Sequence, residues 1–555
     1  MVFVFIWYYG VNVPWWDEWD EVARVDSFLS GKSVFLDLFS QQNEHRPATQ
    51  RTAMLLLAIL TSYNNKIEMA FTQLSMIITL LLFYKKFKES FDLETHMIFF
   101  LPVPYLMFSL RQHESILWAN QSCGYYFIFF GVLTFYLISS LACVENKKKV
   151  SLQFSFSIIS AISATFSLAS GLLVWPVGFL QILVSNIKTK MLMLFLWFIF
   201  GSTTILLYFY DYRRSIFHPP YDSVFKYPWR VVNYFFHLVG KLLYTQPYVN
   251  FAVGVFLVIA TLLLFILVTK NILQKYLFWL TSLTYFSITL CTIALARATM
   301  EDYYGSVSDR YIPFGIMGPV SLYVIYLGLL SEDIDKKLLK LSKIVFAVLL
   351  ILILNSSIIS ISDSIKAGEH WKAQRKSFAY YLHNYKSQPN TNLWRLLPNL
   401  ALLKENAAML EKRKYSVFSY DILPPFSKLK ALNEGTYCIC SLNGKEMAEI
   451  KEPVVINDKQ QIMKIDGWAI DIFKKYVAGG VYIKIDDTLY PTFYGTDRVD
   501  VAVHFKMPRY RYSGFDTEIT TSSIEKGIHK LSVIVLTNDR KYYFNHSYEI
   551  FINRV

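Results

Sequence analysis

Residues 251–269 read Phe251-Ala-Val-Gly-Val-Phe-Leu-Val-Ile-Ala-Thr-Leu-Leu-Leu-Phe-Ile-Leu-Val-Thr269, and Lys270 follows at once. No charge interrupts the run, and as a helix it is long enough to cross about 30 Å of hydrocarbon. Working outward from it, further apolar runs fall at about 1–13, 67–84, 95–110, 123–143, 151–169, 171–186, 191–209, 276–296, 314–330 and 343–361. Basic clusters at Lys85-Lys86-Phe-Lys88, Lys147-Lys148-Lys149, Lys188/Lys190, Lys270/Lys275 and Lys336-Lys337 through Lys343 all follow even-numbered runs. With the N-terminus inside, every cluster faces the cytoplasm. The loops at 14–66, 111–122, 210–250 and 297–313, and the tail from 362, then face outward.

The expected fold class is an all-α polytopic membrane domain over 1–361, with about eleven transmembrane helices. A helical or mixed spacer at 362–453 and a β-sandwich at 454–555 follow it, both on the outer, periplasmic side. The sandwich is read from alternation in Val481-Tyr-Ile-Lys-Ile-Asp486 and Leu531-Ser-Val-Ile-Val-Leu536, with turn signals such as Ala478-Gly479-Gly480 between strands. The chain has 555 residues, 54% of them hydrophobic and 17% aromatic, as a membrane protein with a polar tail requires. Its net charge of +13 is spread along the span ends, so no nucleic acid partner is expected. The five cysteines form no framework, and no Gly-rich phosphate loop, HExxH or CxxC pair occurs. Charges within the spans are scarce and no internal repeat relates the halves, which argues against an ion-coupled transporter.

The outward loops carry the chemistry. Pro14-Trp-Trp-Asp-Glu-Trp-Asp20 places Asp17, Glu18 and Asp20 within four positions. A helix cap followed by an aromatic belt explains part of this. Three crowded carboxylates exceed what a cap needs, and they suit a general base or a divalent-cation site at Asp17 and Asp20. After it, Val22, Val25, Phe28 and Leu29 have helical spacing suited to lying along a membrane surface. The 51–63 segment is apolar but too short to span, which reads as re-entrant or interfacial. Glu44, His45 and Arg46 close the same loop, either as a polar turn or as a lipid-phosphate site. The second outward loop brings Arg111, His113 and Glu114. The fourth brings Arg297, Glu301, Asp302, Asp309, Arg310 and Tyr311. His218 adds one more imidazole in the third loop. In the tail, Trp468, Tyr482, Tyr490 and Tyr494 read as sandwich core more readily than as sugar-stacking faces.

The acidic first outward loop, the amphipathic helix after it and about eleven spans resemble the GT-C glycosyltransferases, such as protein O-mannosyltransferases and aminoarabinose transferases. More closely, Pro14–Asp20, Asn43-Glu-His-Arg46, Ala169-Ser-Gly-Leu-Leu-Val-Trp-Pro176, Ser308-Asp-Arg-Tyr311 and Gly467-Trp-Ala-Ile-Asp471 resemble a group of bacterial polytopic proteins with a β-rich tail. The resemblance implies a sugar donor on polyprenyl phosphate, a glycan or lipid acceptor such as O-antigen, and an inner-membrane location. Asp17 would be the base, with Asp20 the alternative. His45, Arg46, Arg297 and Arg310 would hold the departing phosphate, and Glu18 or Asp20 would orient the acceptor or a divalent cation. Glu44, His113, Glu114 and Tyr311 would complete the acceptor surroundings. Two other classes fit the same residues: a flippase for lipid-linked saccharide, and a non-catalytic polysaccharide assembly protein.

Overall fold

A computed structural model describes the chain except residues 92–95, 215–222, 245, 300–306, 421–428, 433–435, 451–453, 457–461 and 555. It divides into two compact units. The first comprises Met1–Ile6, Ser33–Leu56 and Glu68–Ser364; the second comprises Trp7–Lys32, Leu57–Ile67 and Ile365–Val555.

Among the described residues six helices are long and apolar enough to cross a membrane: Asn65–Ser90, Ala119–Cys143, Lys190–Phe209, Tyr248–Leu267, Leu277–Arg297 and Lys336–His383. Ala48–Thr61, Ala169–Val184 and Pro313–Leu329 are shorter apolar helices. Their outward faces are apolar too: Phe195, Phe198, Leu206, Leu262 and Phe265 are all exposed. Such a surface demands hydrocarbon rather than water. The run at 95–110 does not form one span. It breaks into His96–Phe100, Pro102–Met107 and a 3₁₀ turn at Leu110–Gln112, because Pro102 and Pro104 lack the amide hydrogens a continuous helix needs.

Within the first unit, the helix Pro228–Lys241 packs closely on Pro247–Leu267. Gly240 and Gly254 make the approach possible. A Cβ on Gly240 would lie 1.5 Å from the Asn250 carbonyl oxygen, and one on Gly254 would lie 2.0 Å from that of Phe236. Small residues at a helix crossing let the backbones touch where no hydrophobic drive between helices operates.

The second unit holds a two-sheet sandwich. One sheet runs in the order Lys430–Leu432, Tyr542–Arg554, Gly527–Leu536, Gly480–Ile485, Thr488–Pro491, with Val454–Ile456 also pairing to Tyr542–Arg554. The other runs Lys445–Glu446, Thr436–Leu442, Ile462–Asp471, Gly514–Thr520, Phe493–Thr496, with Tyr476–Val477 beside Ile462–Asp471. Met463, Ile465, Phe515 and Ile519 from one sheet meet Val481, Ile483, Leu531 and Val533 from the other in a shared core. The strands begin at Lys430, earlier than the alternation from 454 indicated, so part of the expected spacer belongs to the sheets. The rest of that spacer is helical: the end of Lys336–His383, then Asn390–Trp394 and Leu400–Arg413.

The Gly467–Asp471 motif serves this sandwich. Trp468 and Ile470 pack with Val501 and Tyr510. Asp471 is fully buried, and its two oxygens accept from the backbone N–H groups of Lys474 (3.0 Å) and Asn538 (2.8 Å). One carboxylate thereby pins two turns. Tyr494 is also interior: its hydroxyl donates to the Ala469 carbonyl at 2.8 Å and accepts from Ala478 N–H at 2.7 Å.

A side chain at position 240 meets a backbone oxygen, which cannot rotate away. Gly240→Ala is therefore expected to destabilise the first unit by about 1–3 kcal/mol, the range for overpacking. Thermal unfolding of the purified protein in lipid nanodiscs measures this, and an unchanged midpoint would contradict the close crossing.

Candidate functional site

The site residues expected from the sequence divide between the two units. His45, Arg46, Arg297, Arg310, Glu44, His113, Glu114 and Tyr311 belong to the first; Asp17, Glu18 and Asp20 belong to the second. Glu301, Asp302 and His218 lie outside the described residues.

In the first unit a tight turn builds the 42–46 site. Gln42 and His45 exchange backbone hydrogen bonds at 2.8 Å, with Asn43 at φ +51°, a left-handed conformation that Asn tolerates. The turn presents Glu44, whose Oε1 accepts from Arg297 Nη2 at 2.7 Å. His45 Nδ1 accepts from the Ala169 N–H at 3.2 Å, which leaves the ring proton on Nε2, 3.5 Å from Glu44 Oε1. Ala169 opens the 3₁₀ turn Ala169–Leu173. A Cβ on Gly171 within it would lie 1.9 Å from the Ala164 carbonyl oxygen. Trp175 Nε1 donates to Thr165 Oγ1 at 3.0 Å. The Ala169–Pro176 motif is thus the floor on which His45 is oriented.

Arg46 has a different employment from the phosphate contact expected of it. Its guanidinium donates to the carbonyls of Tyr208 (2.8 Å), Phe39 (2.9 Å) and Tyr210 (2.5 Å). Two of its donors tie the loop to the end of Lys190–Phe209 and a third holds the Phe39 carbonyl within the loop, so Arg46 is a positioning residue.

The second cluster of this unit surrounds the 3₁₀ turn Asp309–Tyr311. Glu114 Oε2 accepts from Ser308 Oγ (2.8 Å) and from the Arg310 N–H (3.1 Å). Arg310 lies over the Tyr311 ring, 5.3 Å from its centroid. Burial opposes its charge, but Tyr311 and Glu114 outweigh burial and raise its pKa. Lys241 Nζ pairs with Asp309 Oδ1 at 3.0 Å and also donates to the Val307 carbonyl. Arg111 Nη2 donates to the Lys241 carbonyl at 2.9 Å, and burial pushes this guanidinium down to about 10 despite Asp309. His113 Nε2 is 3.8 Å from Asp309 Oδ2, a separation that could serve an ion pair. Burial dominates instead, lowering the His113 pKa against the pull of Asp309 and Glu114. The ring is therefore neutral near pH 7. Tyr234, buried on Pro228–Lys241, feels Tyr311, Arg297 and Arg310 together, which ties the two clusters into one electrostatic neighbourhood. Tyr234 and Lys241, both on Pro228–Lys241, escaped the sequence reading.

In the second unit, the acidic stretch begins the helix Glu18–Leu29. Asp17 occupies the cap position and makes no side-chain cap bond. Glu18, the first residue of the helix, is buried, and its Oε2 accepts from the Trp15 N–H at 2.8 Å in the turn that leads into the helix. Asp20 is exposed and Asp17 half-buried. Glu18 is thereby removed from the acceptor and metal roles assigned to it. Among the described residues no group of three or more His, Cys, Asp and Glu gathers that could by itself hold a metal ion.

The helix buries part of its apolar stripe against protein, while Phe28 stays exposed. Val22 and Val25 are buried, and the helix packs on Leu400–Arg413, where Asn406 Nδ2 donates to the Trp19 carbonyl at 2.9 Å. Arg413 Nη2 pairs with Asp26 at 2.6 Å. Trp15 is no interfacial anchor. The Arg375 guanidinium sits 3.4 Å from its ring centroid, and its Nε1 donates to the Arg395 carbonyl at 3.2 Å.

Because the folded pKa of His113 is depressed below its ordinary 6.5, the unfolded chain binds the proton more readily. Stability contributed by the neutral ring is present above about pH 6.5 and is lost as pH falls through that value. The thermal midpoint of the wild type is expected to drop between pH 7.5 and 5, and His113→Gln to lessen the drop. An identical pH profile in the variant would contradict this assignment.

No protein-family model matches the chain, and comparison with curated proteins and with solved structures returns no match.

Proposed function

We propose that the chain is a membrane glycosyltransferase that moves a sugar from a polyprenyl-phosphate donor to a glycan or lipid hydroxyl. The observation that carries this reading is the neighbourhood of Arg297, Arg310 and His45 in the first unit, interleaved with Glu44, Glu114 and Tyr234. Guanidinium groups set among carboxylates beside apolar helices suit a phosphate at the head of a lipid. Arg297 is the foremost candidate, since its partner Glu44 can yield it to a stronger anion. Arg310 and His45 follow, while Arg46 is spent on carbonyls.

In the reaction, the acceptor oxygen attacks the anomeric carbon, the bond from that carbon to the phosphate oxygen breaks, and polyprenyl phosphate leaves. The configuration inverts. A carboxylate takes the acceptor proton, and Asp17 is the first choice for that base, with Asp20 second. Their accessibility supports a reactive role for either, in contrast to buried Glu18. The finer topology belongs to the same reading: about eleven spans in the bacterial inner membrane, a cytoplasmic N-terminus and a periplasmic tail.

Asp17→Asn is expected to leave the protein folded and inserted while lowering transfer of a radiolabelled sugar from polyprenyl phosphate by about 10²–10⁴-fold, the contribution of general-base catalysis. Full transfer by Asp17→Asn and by Asp20→Asn would sink the base assignment. Arg297→Gln is expected to weaken donor use without altering the thermal midpoint greatly. Undiminished turnover at limiting donor would remove Arg297 from the phosphate role.

A further inference from the structure

The second unit contains a cleft of about 250 Å³ lined by none of the candidate site residues. One wall is the end of the helix Lys336–His383 and the turn after it, with Tyr380, Asn384 and Gln388; the other is sandwich, with Thr488, Tyr490 and Glu518. The lining contains no Lys, Arg or His, and its one charged side chain is Glu518. That composition disfavours phosphates and uronic acids. It is also too polar for an acyl chain.

The polar groups are held in defined orientations. Asn384 Nδ2 donates to the Tyr380 carbonyl at 3.1 Å, which leaves Oδ1 as an acceptor. Gln388 Oε1 accepts from Asn392 Nδ2 at 3.1 Å, which leaves the Nε2 hydrogens as donors. Glu518 Oε2 accepts from Thr391 Oγ1, which leaves Oε1 as an acceptor. The Thr488 hydroxyl both donates and accepts. Tyr380 donates its hydroxyl to the Leu489 carbonyl at 3.0 Å and so fixes its ring as wall. Half-buried Tyr490 packs one side of its ring against the sandwich core and also lines the cleft, close enough to Tyr380 for the two phenols to interact electrostatically.

Preset donors and acceptors beside an aromatic face match a ligand with adjacent hydroxyls and an apolar C–H face. We propose that this cleft is a binding site for a neutral saccharide of one or two units. It does not depend on the transfer reaction. A chain that transfers no sugar could still bind one here, and the residues differ from those tested for transfer.

The test uses the full-length protein in lipid nanodiscs, since maltoside detergents carry a competing disaccharide. Saturation-transfer NMR would be recorded with methyl glycosides of glucose, galactose, mannose, rhamnose and N-acetylglucosamine, and with glucuronate and glucose 1-phosphate as anionic counterparts. At least one neutral glycoside is expected to bind, and the anionic ones to bind less. Tyr490→Ala should weaken binding about tenfold, in line with loss of an aromatic contact. Thr488→Trp, at an exposed position, should block the cleft without disturbing the core. No signal from any neutral glycoside, stronger binding of the anionic ones, or unchanged binding in Thr488→Trp would overturn the proposal.

Discussion

A guanidinium buried in an apolar helical unit must find oxygen, and the loops of the first unit are shaped around that requirement. Arg51 is only 2% exposed, yet its Nη1 reaches the carbonyl of Leu38 at 3.1 Å and both oxygens of Ser40. Half-buried Arg46 binds the Phe39 carbonyl of the same loop and those of Tyr208 and Tyr210 at the end of Lys190–Phe209. Arg111 reaches the Lys241 carbonyl. An unsatisfied buried charge would cost several kcal/mol, so each of these residues dictates where a stretch of backbone must lie. Arginine suits the task better than lysine because its planar fork serves several carbonyls at once. Once the 37–46 backbone is held in this way, Glu44 and His45 have little choice of position. The Glu44–Arg297 pair is thus a consequence of the anchoring arginines as much as of its own attraction.

The second unit depends on a different tie. Trp15, Trp16, Trp19 and Asp26 bind partners near residues 371–413, some 380 positions along the chain. Contacts of such separation carry a large loop-closure cost and form late. Trp15 shows the result: one indole receives the Arg375 cation on its face, meets Trp371 edge-on at 5.6 Å and donates to the Arg395 carbonyl.

The legible parts of the fold were those decided locally. An uninterrupted run such as 251–269 could be little other than a long apolar helix, and the alternation of 481–486 and 531–536 marked two sandwich strands that pair with each other. Pro102 and Pro104 held a readable warning that the 95–110 run breaks, but apolar length alone concealed it. Strand Thr436–Leu442 was less visible because what makes it a strand is its pairing with Ile462–Asp471, set by a distant segment. Val22 and Val25 displayed a correct helical period, yet periodicity names a buried face without naming what buries it. Arg46 shows the same limit for a site. A guanidinium that holds carbonyls and one that holds phosphate look identical in sequence, and only its neighbours distinguish them.

The acidic stretch resolves by the same logic. Three carboxylates within four residues repel one another if they share an environment, and the fold gives each a different one. Glu18 turns inward, where a backbone N–H offsets the cost of its burial. Asp20 turns to the surface and Asp17 stands between, at the first turn of a helix whose dipole favours negative charge. The crowding that made the motif conspicuous is therefore partly architectural. Glu18 fixes the turn that leads into the helix, while Asp17 at the cap position makes no side-chain cap bond. Whatever chemistry the motif performs falls to the two aspartates, since the fold has already used the glutamate.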